Sequence, residues 1–278
     1  MSNYLISVIV PCYNQAKYLD EALQSVLNQS FTDWECIIVN DGSTDTTEVV
    51  SNEWIKKDSR FKYIFQDNRG LSSARNLGVK KAESEFILPL DADDKIGENY
   101  LELAYQAFQE NKEIKVVYCE AKKFGDSVEL WKLPEFSLDN LSRTNVIFCS
   151  ALFRKIDWET VGGFDVNMIH GWEDWEFWIS LLKNGGLVKK IESVQFYYRV
   201  KEVSMLKAMD AQKTKETEEY LSVKHTDFFV KQLGSFNALL RETERVKKNY
   251  DEKLKSEKFV INMFLKKFFG FTIFKSNK

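Results

Sequence analysis

The stretch Phe86-Ile87-Leu88-Pro89-Leu90-Asp91-Ala92-Asp93-Asp94 decides the fold. A short apolar run bounded by polar residues fits a strand buried in a core. Three carboxylates within four residues then mark where that strand leaves the core for a polar cleft. Like charges this close raise one another's pKa unless a cation or a hydrogen-bond network compensates. Oxygen-only ligands suit a hard divalent ion, Mg²⁺ or Mn²⁺, held by one or two carboxylates and completed by water and substrate phosphates. The plainer alternative is a capping turn for a helix over residues 98–109, because Asp is favoured at helix N-caps.

Upstream, one pattern occurs three times. Residues 5–10 are apolar and β-rich and end at Pro11; Cys12-Tyr13-Asn14-Gln15 follows as a loop, and Leu19, Ala22, Leu23 and Val26 then recur at helical spacing. Residues 34–39 read as a second strand, Asn40-Asp41-Gly42-Ser43 as its loop, and Ser43 or Thr44 as the cap of the next helix. Residues 62–65 make a third strand, Asp67-Asn68-Arg69-Gly70 a turn, and a helix runs through Ala74, Leu77 and Val79. Strands alternating with helices predict an α/β fold with a mostly parallel, doubly wound sheet that binds ligands at the carboxyl ends of its strands. That rule gathers Asn14, Asp41, Arg69, Arg75 and Asp91 to Asp94 along one edge. Neither glycine-rich phosphate motif, G-x-G-x-x-G or G-x-x-x-x-G-K-[ST], is present. A nucleotide here is therefore expected to be held by base and ribose contacts and a metal-bridged diphosphate.

Downstream, the helix over residues 98–109 precedes a strand at 116–119 and short strands at 128–131 and 146–153. A second dense stretch is His170-Gly171-Trp172-Glu173-Asp174-Trp175-Glu176-Phe177-Trp178. Trp175, Trp178, Ile179 and Leu182 recur at helical spacing, which reads as core, and Gly185-Gly186 stops the helix. Glu173 and Asp174 fall in its first turn, where the helix dipole favours negative charge, so helix-end electrostatics explains them as readily as chemistry does. Strands at 187–191 and 194–200 lead into Tyr197-Tyr198-Arg199-Val200-Lys201-Glu202-Val203-Ser204-Met205. From residue 207 the sequence is charged and helical, with Phe236, Leu239, Val246, Tyr250 and Leu254 near heptad spacing, a pattern of bundle packing or a homo-oligomer. Residues 259–274 are crowded with Phe, Leu and Ile around Lys266-Lys267. Such a segment suits a membrane interface or a helix docked on the catalytic domain, and its pattern does not separate the two.

With 278 residues, 44% of them hydrophobic, the chain can hold one large α/β domain with an appendage. A net charge of −3 predicts no general affinity for nucleic acid. Residues 241–278 carry +6, leaving −9 on residues 1–240, so a basic tail is joined to an acidic body. Four cysteines without a C-x-x-C pair, and a start without a basic, apolar signal segment, lead us to expect reduced thiols and a cytoplasmic protein. Only His170 and His225 are available, which disfavours a histidine-rich zinc site. No apolar run approaches the roughly 20 residues that span a bilayer, so any membrane contact is expected to be peripheral, at the inner face.

Taken together, Val8-Ile9-Val10-Pro11-Cys12-Tyr13-Asn14, Ile37-Ile38-Val39-Asn40-Asp41-Gly42-Ser43-Thr44-Asp45, Asn68-Arg69-Gly70-Leu71-Ser72-Ser73-Ala74-Arg75-Asn76, Leu90-Asp91-Ala92-Asp93-Asp94 and Glu173-Asp174 resemble, in order and spacing, the inverting glycosyltransferases of family 2 with the GT-A fold. The resemblance covers roughly residues 4 to 205. It implies a catalytic domain over residues 1–206 and a helical extension over 207–278. It also implies transfer of a sugar from a nucleoside-diphosphate donor, UDP-linked, to a glycan or lipid-linked acceptor in cell-surface polysaccharide synthesis, with Mn²⁺ or Mg²⁺ as cofactor. A noncatalytic nucleotide-sugar-binding scaffold subunit is the alternative.

Carried over by motif, the resemblance places Pro11, Tyr13, Asn14 and Asp41 at the nucleobase and ribose, Arg75 near the base or diphosphate, and Asp91 near the ribose or a metal-bound water. Asp93 is implied as the direct metal ligand with Asp91 beside it, and Asp174 as the general base with Glu173 as its neighbour. Asp94, His170, Trp172 and Arg199 are the candidates for sugar or acceptor contacts. Many relatives carry a histidine in the loop after the last strand; this sequence has none there, and Arg199 or Lys201 is the available cation for the diphosphate.

Overall fold

The computed structural model describes residues 4–202 and 208–274. Three strand–loop–helix units open the chain: β1 (Ile6–Cys12) with α1 (Ala16–Leu27), β2 (Trp34–Asp41) with α2 (Thr47–Lys57), and β3 (Phe61–Gln66) with α3 (Leu71–Lys81). The decisive strand follows as β4 (Phe86–Pro89), every residue of it buried. β1 and β2 are likewise buried on both faces, as strands in the middle of a helix-covered parallel sheet must be.

The second half comprises β5 (Lys95–Ile96), α4 (Tyr100–Glu110), β6 (Ile114–Gly125), β7 (Leu130–Trp131), α5 (Leu138–Leu141), β8 (Leu152–Arg154), α6 (Lys155–Val161), α7 (Glu173–Leu182) and β9 (Leu187–Val200). The strands form one sheet in the order β3-β2-β1-β4-β8-β6-β9-β5, with β7 paired to β6. β3, β2, β1 and β4 run parallel, as do β6 and β9. β8 is antiparallel to both β4 and β6, so the doubly wound pattern stops at β4 and the rest of the sheet is mixed.

Three expectations need correction. Residues 146–153 are strand only over Leu152–Arg154; Val146, Ile147 and Phe148 are buried without ladder pairing, so their apolar run reported burial and not strand. Residues 128–131 shrink to the two-residue β7, which pairs only with Ala121 and Lys122. The strands expected at 187–191 and 194–200 are one strand, β9, whose register against β6 shifts near Cys119 and Glu120, a bulge that absorbs Glu192 and Ser193. The capping alternative for the acids also fails, because β5 intervenes and Asn99 precedes α4.

Four more helices follow: α8 (Ala211–Lys224), α9 (Thr226–Leu233), α10 (Phe236–Leu254) and α11 (Glu257–Phe269). The boundary expected between residues 206 and 207, with Val203, Ser204 and Met205 of the preceding motif, lies outside the described residues. The first compact unit extends to Phe228 and the second begins at Phe229. α8 belongs to the first because Leu221, His225 and Phe228 are buried and Tyr220 Oη and Lys224 Nζ each donate to Asp165 at 2.6 Å. A helix this rich in Lys and Glu hides those few buried residues from a reading by composition. In the second unit, α10 and α11 contain no buried residue.

Candidate functional site

Parallel pairing of β1 with β2 and β4 brings their carboxyl ends, and the loops that leave them, side by side. The first two loops are laced together. Asn14, held at a positive φ of 52°, accepts from the Thr44 N–H at 2.8 Å and donates its own N–H to Ser43 Oγ at 3.0 Å. Asp45, in place of Ser43 or Thr44, serves the start of α2: its Oδ1 accepts from Thr47 N at 3.0 Å, while Oδ2 accepts from Ala16 N at 3.0 Å. β1 continues through Pro11, which is buried, whereas the next aromatic, Tyr13, is 48% exposed and presents a free ring at the edge.

Asp41 is buried at the end of β2, and its oxygens accept from Arg69 N and Gly70 N, both at 2.9 Å, and from Gln66 Nε2 at 2.6 Å. It fixes the third loop from beneath. Gly42 lies so close to that loop that a Cβ would stand 2.7 Å from Asn68 N, at a φ of +72° that already favours glycine.

Arg75, expected beside the base or diphosphate, is instead buried. Its guanidinium donates to Asp91 at 2.7 Å and to Glu173 at shorter range, so one cation joins the end of β4 to the start of α7. This is the physical reason Arg75 and Glu173 can stand in the interior, with half-buried Asp91 as the second partner: a buried charge survives when paired. Glu173 is therefore an anchor of α7, and helix-end electrostatics does not exhaust its role.

Asp94 is also buried, and burial with Asp93 and Asp91 beside it raises its pKa well above the usual carboxylate range. It accepts from Arg199 N at 2.7 Å, which places it under the end of β9. Arg199 is itself committed: its Nε donates to the Asp93 carbonyl at 2.8 Å, and its guanidinium lies 4.6 Å from the Tyr18 ring and 4.3 Å from that of Phe124. Lys201 Nζ stands 2.5 Å from Asp93 Oδ2 and 3.2 Å from Gln15 Oε1.

Among the described residues, no group of three or more His, Cys, Asp or Glu is arranged to hold a metal ion. What the strand end offers is two half-buried carboxylates, Asp91 and Asp93. That donor set fits an Mg²⁺-type ion, which takes one or two protein carboxylates and completes its shell with phosphate oxygens and water.

Asp174 is half-buried in the first turn of α7, and burial, aided by the neighbouring Glu173 charge, pushes its pKa from 3.8 up to about 7. Asn145 Nδ2 donates to its Oδ2 at 2.9 Å. Before it, Trp172 occupies the left-handed region at φ 61°, a strain of about 1–3 kcal/mol that persists only where surroundings enforce it. Its ring packs edge-on against Trp175 at 5.5 Å. His170 lies 3.4 Å from Glu216 of α8, so the structure ties it to a helix. Trp175 and Trp178 are buried, as their spacing predicts.

Sequence reasoning missed Asn145, the Gln66 support of Asp41, and the clamp on Glu176. That buried carboxylate, also on α7, sits 2.8 Å from both Lys224 Nζ and His225 Nε2. Neither a lone Asn nor a Lys-His pair in a charged helix carries a sequence signal.

The sequence model of Glycosyl transferase family 2 matches residues 7–169, more than half of the chain. The chain belongs to glycosyl transferase family 2. It is 32% identical over 192 residues to a Bacillus subtilis (strain 168) glycosyltransferase, TuaG, named for teichuronic acid biosynthesis, with 66% of this chain and 75% of TuaG covered. Other curated relatives are longer: the chain spans 28% of one and 41% of another. Among solved structures it resembles Staphylococcus aureus TarS 1-349 in complex with UDP-GlcNAc, with a TM-score of 0.69, 23% identity, and coverage of 82% of this chain and 71% of that one. It also resembles the Pyrobaculum calidifontis mannosyltransferase PcManGT in complex with GDP-Man and Mn²⁺, with a TM-score of 0.59, 17% identity, and coverage of 97% and 88%. The family 2 chain thus has the GT-A fold that its motifs led us to expect. Glu173, Asp174 and β9 lie beyond the matched span.

Proposed function

We propose that this family 2 chain is a metal-dependent, inverting glycosyltransferase that moves a sugar from a UDP-linked donor to a hydroxyl of a glycan or lipid-linked acceptor in cell-surface polysaccharide synthesis. The observation that carries the reading is the Asp91–Arg75–Glu173 bridge, which fixes a carboxylate of raised pKa, Asp174, relative to the acid cluster at the end of β4. A noncatalytic sugar-nucleotide binder has no use for such a carboxylate. The names of TuaG and of the TarS complex support a polysaccharide setting and a UDP donor.

In this reading the acceptor hydroxyl attacks the anomeric carbon opposite the departing diphosphate, so one displacement inverts the centre and no covalent intermediate forms. Asp174 takes the hydroxyl proton; a base whose pKa lies near working pH is effective there, contributing about 10²–10⁴-fold. Asn145 Nδ2 and the Trp175 N–H each donate to one carboxylate oxygen, at 2.9 and 2.8 Å, which fixes the group's orientation. Tyr13 covers the base, and Asp41 shapes the loop that receives the donor. Asp91 and Asp93 are the residues that would hold Mn²⁺ or Mg²⁺, which when bound neutralises charge on the leaving diphosphate. Lys201, on Asp93, adds a cation at the same edge. Much of the remaining acceleration comes from holding donor and acceptor in register.

Cytoplasmic placement at a membrane face belongs to the same proposal; no helix among the described residues is long and apolar enough to cross a membrane. Calorimetric titration of UDP with Mn²⁺, repeated with EDTA, tests the site. Binding that disappears with the chelator is expected. Absence of binding by UDP and by every other nucleoside diphosphate, with or without metal, overturns the reading.

A further inference from the structure

The second unit carries an exposed apolar surface. In α11 and the turn after it, Phe264, Phe268, Phe269, Phe271 and Ile273 are 51–68% exposed. Their rings already associate: Phe264 lies 4.9 Å from Phe268, and Phe269 lies 6.3 Å from Phe271. In water such a cluster is unfavourable, and contiguous exposed patches of this kind mark an interaction surface.

The cluster is held by a device that its sequence pattern does not announce. α11 ends at Gly270, in the left-handed conformation at φ 78°, and the chain turns back along the helix. Asn262 secures the return: its Oδ1 accepts from Ile273 N and Phe274 N, both at 3.0 Å, and its Nδ2 donates to the Phe274 carbonyl at 2.7 Å. One side chain thus satisfies three backbone groups at the most apolar point of the unit. Water would satisfy those groups on an exposed turn without help, whereas in an apolar medium each must be paired internally.

Charge selects the medium. Residues 229–278 carry twelve Lys and Arg against five Asp and Glu, a net +7 on a chain whose total is −3. Lys266 and Lys267 adjoin the phenylalanines, and Lys258 Nζ lies 5.8 Å from the Phe274 ring. A basic helix with an aromatic face is suited to lying in the plane of a bilayer interface, with apolar contact and attraction to acidic headgroups acting together.

We propose that the α11 hook docks the chain onto an anionic lipid bilayer, phenylalanines inserted and lysines at the headgroups. The proposal goes beyond the transfer reaction and stands on different residues. Its test is flotation of the full-length protein with phosphatidylcholine vesicles containing phosphatidylglycerol, and with phosphatidylcholine alone, with calorimetric UDP binding of each variant as the check on folding. The expected result is flotation with the anionic vesicles, weakened by high salt and weak on the neutral ones. F268S/F269S is expected to lower partitioning by roughly 100-fold, and K266E/K267E by at least about tenfold. N262A is expected to weaken binding with both charge and aromatic residues intact, which an unstructured sticky tail would not show. Absence of flotation, equal flotation on neutral vesicles without a salt effect, or concentration-dependent self-association of the protein that F268S/F269S abolishes would each overturn it. Loss of UDP binding in the parent protein would count against the transfer reading alone.

Discussion

Replacing Asp174 with Asn separates what this carboxylate does for turnover from what it does to the fold. Asn keeps the shape, but its single oxygen serves only one of two donors, Asn145 Nδ2 at 2.9 Å from Oδ2 or Trp175 N at 2.8 Å from Oδ1. If Asp174 takes the acceptor proton, the variant loses about 10²–10⁴-fold in turnover while UDP affinity stays within a few fold. The parent enzyme should lose activity as pH falls through about 7, close to tenfold for each unit below it, because only the ionised carboxylate accepts a proton. Stability moves the other way. Burial raises this pKa from 3.8 to about 7, so between those values the native state keeps a proton that the unfolded chain has released. Stability therefore falls as pH rises across that window, and the penalty is complete above it. A shift of about three units corresponds to ~4 kcal/mol at ~1.4 kcal/mol per unit, an upper bound for a half-buried group. The Asn variant should thus be inactive at pH 8 yet more stable to urea than the parent by roughly 1–3 kcal/mol, the removed penalty less about 1 kcal/mol for the hydrogen bond lost, and the gain should disappear near pH 4. Turnover of the variant within tenfold of the parent, a flat parent profile between pH 5 and 8, or equal stabilities at pH 8 would refute the assignment.

Arg75→Met should destabilise the fold by about 3–5 kcal/mol, measured by urea unfolding, because it leaves Glu173 and Asp91 without their shared cation; Arg75→Lys should recover part of this. Tyr13→Ala should weaken UDP binding about tenfold, for loss of stacking on the base, with an unchanged melting temperature because the ring is exposed. Asp93→Ala should make UDP affinity insensitive to EDTA while the protein stays folded.

The parallel half of the sheet was legible because each of its strands is apolar on both faces and ends in a polar loop. That signature needs no knowledge of distant residues. The mixed half was not, because there burial and pairing part company. Val146, Ile147 and Phe148 are as buried as any strand yet have no ladder partner, and β7 exists only because β6 runs past Cys119 to Ala121 and Lys122, where the two pair. The positions of the acids were legible in the sequence, but their contacts were not. Arg75 follows the motif faithfully, but its two partners stand 16 and 98 residues away, and only the fold shows that they occupy the guanidinium.

Two kinds of acid emerge along this edge. Asp41, Asp94 and Glu173 are turned inward, each spent on backbone N–H groups or on Arg75, and they set the positions of loops and helix. Asp91, Asp93 and Asp174 remain half-buried at the surface of that framework. The difference is one of environment and not of residue type, since all six are carboxylates. It also explains why clustered acids can be tolerated here: Arg75, Arg199 and Lys201 are all engaged by members of the set, and Asp94, the most enclosed of the strand-end trio, has its pKa raised well above the usual range and so does not add a full charge to it. Both of the strand-end carboxylates proposed to hold the ion are already paired, Asp91 with Arg75 at 2.7 Å and Asp93 with Lys201 at 2.5 Å, so under the proposed function an ion would have to compete with these cations. Under the proposed function, the Lys201–Asp93 contact is one that binding of the donor and its ion would rearrange.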